Sequence, residues 1–204
     1  MSYISNIEPN TDQKLLDLSL CFREKGIPTA LWDTLNELIL TVSIKQPLTI
    51  LEIGTAVGIS GTAMLLACQN ARLTTIEKDE DSYLEASKTF EKFNLTKQVK
   101  QLLGDAGDII RFLDINYDFI FLDGAKARYY DYLPEIKRLL NSGGVLFADN
   151  VLFRGYIDGT VKYNHRDNTI VRNMRAFLNE LINDKNFVCS LHDKGDGILI
   201  AYKK

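Results

Sequence analysis

The chain has 204 residues, 46% hydrophobic and 25% charged, and fits one globular domain over 1–204 with a sizeable core better than two small ones. A net charge of −3 and a pI near 5.5 give no overall attraction for a phosphate backbone, so nucleic-acid binding would need a local basic patch. Cys21, Cys68 and Cys189 exclude a disulfide framework or a C-x-x-C site, and no apolar run nears the roughly 18 residues that span a bilayer. The polar start, MSYISNIEPNTDQK, lacks the order of a signal peptide, and a reducing, cytoplasmic setting is expected.

The first 45 residues read as a helical cap of two helices, 12–25 and 30–43, broken at Gly26-Ile27-Pro28. From Leu48 short apolar runs alternate with helical stretches: LTILEIG, a helix from Gly58, RLTTIEK, a helix from Asp81, QVKQLLGD, a short helix, YDFIFLDG, a helix from Tyr129, and GGVLFADN. The alternation predicts an α/β fold of βαβ units, with a mostly parallel sheet covered by helices on both faces. A polar loop over 151–168 follows, then a helix over 169–184 and the strands NFVCSLHD and DGILIAYK. Their connection, around Lys194 and Gly195, is too short for a parallel crossover, so this pair is predicted antiparallel.

In LEIGTAVGIS an apolar strand ends at Glu52-Ile53-Gly54 and Gly58 opens a helix. Such a turn lets backbone approach a ligand closely, but a dinucleotide pyrophosphate calls for G-x-G-x-x-G, and Ala56 stands where its second glycine would be. A carboxylate aimed into the turn from Glu52 would repel a pyrophosphate and could help hold the cationic methionine portion of S-adenosylmethionine. Glu77, ending the second strand, is placed to accept hydrogen bonds from both ribose hydroxyls, and Asp105-Ala106 to flank an adenine. The plainer reading of Glu77 is an ordinary charged surface turn.

Asp123 closes YDFIFLD, and Asp149-Asn150 closes GVLFADN. On adjacent parallel strands all three converge at the sheet edge that holds the cofactor turn. Their hard oxygens suit Mg²⁺, with Mn²⁺ or Ca²⁺ as substitutes, and not zinc. Alternatively, Asp149-Asn150 simply caps a turn. Lys126, three residues after Asp123, is the candidate base, since a partly desolvated amine beside a divalent cation is better suited to that role than a solvated one; a surface lysine is the bland alternative.

LEIGTAVGIS, TTIEKD, LLGDA, FIFLDGAK and GGVLFADNVLFRG, in that order, resemble the cation-dependent class I O-methyltransferases, the family of the catechol and caffeoyl-CoA enzymes. The resemblance runs from Ile27 to the C-terminus and implies a seven-stranded Rossmann-like fold with the last strand antiparallel. It also implies S-adenosylmethionine, a homodimer, and a metal held by Asp123, Asp149 and Asn150. Around the cofactor it places Ala30, Glu52, Gly54, Ser60, Glu77, Asp105, Ala106 and Asp123, and it gives Lys126 and Asp123 the catalytic positions. Within the family the chain looks most like the bacterial branch that methylates 5-hydroxyuridine in the tRNA anticodon to 5-methoxyuridine, an acceptor whose 5-hydroxyl and 4-oxo group form a two-oxygen chelate. Ala125 stands where catechol enzymes carry an aromatic, so the clamp for a small flat ring is missing. Ile59 and Ala30 also depart from the family pattern and imply a looser cofactor pocket.

Arg128, Arg154, Lys162, His165, Arg166, Arg172 and Arg175 could form a phosphate-binding rim, and Tyr129, Phe153, Tyr156 and Tyr163 could stack on bases. The competing reading is a solvated loop and helix face interleaved with Asp158 and Asp167, with the aromatics in the core or a dimer contact. Three functions therefore stand: tRNA methylation, small-molecule catechol or phenol methylation, and a noncatalytic RNA- or partner-binding module.

Overall fold

The computed structural model describes residues 8–204; the first seven residues of the expected cap lie outside that span. Two helices form the cap, α1 (Gln13–Glu24) and α2 (Trp32–Lys45). Asp12 caps α1 by accepting from the Lys14 N–H at 2.8 Å, and Gly26, at φ 76°, lets the chain turn away after it.

Seven strands follow: β1 (Thr49–Ile53), β2 (Arg72–Glu77), β3 (Val99–Leu103), β4 (Tyr117–Leu122), β5 (Leu140–Asp149), β6 (Phe187–His192) and β7 (Ile198–Lys203). Between them run α3 (Ile59–Ala67), α4 (Glu80–Lys92), the short α5 (Ala106–Ile109), α6 (Tyr129–Leu139) and α7 (Asn168–Asn183). The sheet order is β3-β2-β1-β4-β5-β7-β6. The first five strands run parallel, and β7 lies antiparallel to both β5 and β6.

The inner strands β1, β2, β4 and β5 bury both faces, which is why they read as unbroken apolar runs rather than alternating ones. Phe119, Phe121 and Phe147 fill the α2–α3–α4 side with Ile50 and Leu73, while Ile120, Leu122, Leu146 and Ala148 face α6 and α7. Each fully buried phenylalanine contributes about 1.5–3 kcal/mol on leaving water. Amphipathic α7 turns Val171, Met174, Phe177, Leu178 and Leu181 to that second layer. β5 begins at Leu140, earlier than the GGVLFADN run, and a register shift against β4 between Tyr117 and Phe119 absorbs the added residues. Among the described residues no helix is long and apolar enough to cross a membrane.

Candidate active site

The strand order reverses between β1 and β4, so their outgoing loops diverge and leave a crevice at the carboxyl ends of the strands. A cavity of about 450 Å³ opens there, within the size range of small-molecule sites. Gly54, at φ 102°, has no room for a side chain, because a Cβ would overlap the Asp123 carbonyl oxygen. The Asp123 N–H donates to the Ile53 carbonyl at 3.0 Å, so the two turns meet backbone to backbone.

Ala56 holds φ 46°, a left-handed conformation usually left to glycine. Glu77 braces it: one carboxylate oxygen accepts the Ala56 N–H at 2.8 Å, and the other accepts the Lys78 and Asp79 N–H groups at 2.9 and 3.0 Å. At the same end of the cavity lie Ala106, Tyr132 and Asp105, the last capping α5 through the Gly107 N–H at 2.8 Å. The wall opposite is Pro28–Leu31. α1 grips it: Arg23 donates to the Thr29 hydroxyl at 2.8 Å and to the Ala30 carbonyl, and Ser19 shares a 3.0 Å hydrogen bond with Thr29.

At the other end, Leu122 and Ala148 are register partners, so Asp123 and Asp149 leave adjacent strands at the same level. Asp149 is 2% exposed. Burial lifts its carboxyl to about 7, the neighbouring Asp123 adds to the rise, and the Asn150 N–H, the Thr34 hydroxyl and Lys126 oppose it. Asp123 is likewise raised by burial, opposed by Lys126, whose Nζ lies 3.9 Å from its Oδ1. Two neighbouring carboxyl groups thus face one lysine side chain, an arrangement that a divalent cation would complete. Among the described residues no three His, Cys, Asp or Glu side chains group as a metal site; the available donors are two carboxylates and Asn150, turned by its φ of 57°. That all-oxygen set fits Mg²⁺ or Mn²⁺.

The O-methyltransferase family model matches residues 28–204. The chain belongs to the O-methyltransferase family. Catechol O-methyltransferase of Bos taurus is 38% identical over 122 residues, 56% of this chain and 45% of that enzyme. An O-methyltransferase of Bacillus cereus in complex with SAH superposes with a TM-score of 0.84 at 25% identity, covering 99% of this chain and 96% of its own. TomG of Streptomyces achromogenes, an O-methyltransferase in complex with SAM, gives a TM-score of 0.82 at 25% identity over 99% of this chain and 94% of its own. The fold is thus the Rossmann-like methyltransferase fold, and the protein is an enzyme that transfers methyl groups to oxygen.

In this O-methyltransferase Ala30, Gly54, Ser60, Glu77, Asp105, Ala106, Asp123, Lys126, Asp149 and Asn150 all line the one cavity. Glu52 does not, which corrects the expectation of a carboxylate aimed into the turn. It is fully buried and accepts from the Ser60 hydroxyl at 2.5 Å and the Thr75 hydroxyl at 2.6 Å. Burial lifts its carboxyl to about 7. Its role is beneath the cavity: it orients Ser60, which does line it.

The expected basic rim also shrinks. Arg128 pairs with Asp131 at 2.8 Å and lies 5.6 Å from the Tyr132 ring centroid, at the Asp105 end. Arg175 donates to the Tyr156 and Ile157 carbonyls at 3.1 Å and stacks on Tyr163. Arg154, Lys162, His165, Arg166 and Arg172 remain exposed. Tyr129 is core, its hydroxyl shared between the Leu122 and Asp149 carbonyls at 3.1 Å, so it is not a stacking surface. Two contributors escaped the sequence reading. Tyr132 sits one helical turn into α6, where only its apolar spacing showed, and Thr34 reaches Asp149 from 115 residues away.

Proposed function

We propose that this enzyme is an S-adenosylmethionine- and Mg²⁺-dependent O-methyltransferase whose acceptor is 5-hydroxyuridine in the tRNA anticodon. The observation that carries the reading is the single cavity joining Glu77 and Asp105 at one end to Asp123, Lys126, Asp149 and Asn150 at the other. A nucleoside cofactor fits the first end and a two-oxygen chelate the second, which brings sulfonium methyl and acceptor oxygen together.

Asp123, Asp149 and Asn150 would hold the cation, which when bound would supply a Lewis acid that favours the ionised acceptor hydroxyl. Glu77 presents a carboxylate already fixed by three N–H donors, so ribose hydroxyls meet an acceptor that need not reorient. Lys126, whose Nζ lies 3.9 Å from Asp123 Oδ1, would take the proton of the acceptor hydroxyl as a neutral amine, having first released its own proton to solvent. The acceptor oxygen then forms its bond to the methyl carbon as the carbon–sulfur bond breaks.

Three features support tRNA: the exposed Arg154, Lys162, Arg166 and Arg172, the Tyr156–Tyr163 pair with ring centroids 6.0 Å apart, and Ala125 in place of a ring clamp; Phe153, expected to stack on bases, is buried in the core instead. The identity with bovine catechol O-methyltransferase favours the second reading, a small catechol or phenol. A cytoplasmic setting accords with three free thiols. We also propose a homodimer, supported by the exposed Leu40 and Ile44 of α2 beside Tyr202 of β7, for which light scattering in solution gives the mass.

The test is incubation with S-adenosylmethionine and Mg²⁺ on tRNA carrying 5-hydroxyuridine, with and without EDTA, read by nucleoside mass spectrometry. A gain of one methyl that EDTA abolishes is expected. Failure there with a catechol methylated in parallel moves the acceptor to small molecules, and EDTA-resistant transfer removes the cation.

A further inference from the structure

Resting on the reading of Asp123, Asp149 and Asn150 as a cation site, we propose that Thr34, on helix α2 of the N-terminal cap, is a positioning residue that fixes the Asp149 carboxylate so that Oδ2 is the oxygen offered to the cation. The Thr34 hydroxyl donates to Asp149 Oδ1 at 3.2 Å, and the Asn150 N–H donates to the same oxygen at 2.7 Å. Both donors fall on Oδ1, which leaves the lone pairs of Oδ2 for a ligand.

Thr34 has the rigidity this role requires. It is fully buried, as are Leu35 and Leu38 on the same helix, and its branched Cβ restricts χ1. The β6–β7 connection closes over it: a Cβ on Gly195 would sit 3.6 Å from the Thr34 hydroxyl, and Lys194 pairs with Glu37 one turn along α2. The same connection grips the segment that carries Asn150, since the Val151 N–H donates to the Gly197 carbonyl at 3.0 Å and the Leu152 N–H to the Asp196 carbonyl at 2.9 Å. The ligand carboxylate is therefore aimed from outside the β-α-β body, by a cap helix held against the last hairpin. Loss of an outer partner that orients a metal-binding carboxylate weakens metal binding about 10- to 100-fold.

The experiment measures Mn²⁺ affinity by the electron paramagnetic resonance signal of the free ion, with S-adenosylhomocysteine present and no acceptor, for the wild type, Thr34→Val and Thr34→Ser. S-adenosylhomocysteine affinity is measured separately without metal. Thr34→Val keeps the shape and removes the donor, so its Mn²⁺ affinity should fall by roughly tenfold or more while cofactor affinity stays within about twofold. Thr34→Ser keeps the donor and should bind Mn²⁺ like the wild type. Unchanged Mn²⁺ affinity in Thr34→Val, or a loss in Thr34→Ser as large as in Thr34→Val, overturns the proposal; Thr34→Ala replaces valine if that variant does not fold. A wild type that binds no Mn²⁺ instead overturns the cation reading, and this inference with it.

Discussion

Around the turn after β1 the backbone bends are braced from beneath and beside: Gly54 against Asp123, Ala56 by Glu77, Ser60 by the buried Glu52. The 151–168 segment, bordering the same cavity at Asn150, is instead mostly exposed turn. Its start is anchored by the buried Val151, Leu152, Phe153 and Ile157, but 158–166 is exposed throughout, and Arg175 ties only the Tyr156 and Ile157 carbonyls just before it. A preformed half binds without the entropy cost of ordering itself, while a loosely held half can change its side chains without disturbing the other. On the proposed function, the shared chemistry sits on the first and acceptor choice on the second.

The comparison breaks most visibly at Gly54. Gly54→Ala should abolish S-adenosylhomocysteine binding in calorimetry, because the new methyl has only backbone to displace; retained affinity would mean the turn is not rigid.

Glu52 tests how much that rigidity costs. Its folded-state carboxyl, raised by burial to about 7 from the ordinary 4.5, binds its proton more tightly than in the unfolded chain. Its contribution to stability is therefore fully present below about pH 4.5 and lost as pH rises through about 7, a swing on the order of 3 kcal/mol. Glu52→Gln does not ionise, so its melting temperature relative to wild type should climb by roughly 5–10 °C between pH 5.5 and 8.5. Asp149 titrates in both proteins and cancels. A difference that stays flat with pH would remove the buried charge from the argument.

The smallest effect is expected in the loose half. Arg154→Ala with Arg166→Ala should lower the slope of log affinity for tRNA against log salt by about 2 while leaving catechol turnover unchanged. Equal losses on both acceptors would place these arginines in the fold rather than the interface.

The parallel sheet, the antiparallel last pair and the meeting of Glu77, Asp105, Asp123, Asp149 and Asn150 at one cavity were legible because they rest on apolar runs and on residues at strand ends, which topology carries to one edge, whereas Ala30 and Ser60 came from the family resemblance alone. The place of Glu52 was not legible. In a strand buried on both faces, alternation does not distinguish a side chain turned into the crevice from one turned beneath a helix. The left-handed Ala56 was hidden because its brace, Glu77, is 21 residues away, so the absent second glycine does not remove the bend it normally serves. Arg128, expected on the acceptor side, instead packs near Asp105, against Asp131 and Tyr132.

The family match begins at Pro28, while the hold on Thr29 and Ala30 comes from Arg23 and Ser19, earlier in the chain. Each methyl transfer leaves a spent cofactor that must depart before the next can enter, and release of this kind often sets turnover. The Pro28–Leu31 wall of the cavity it leaves is tethered by three hydrogen bonds, each contributing about 1 kcal/mol. Relatives that share the methyl-transfer core but lack this helix would run the same reaction to a different clock.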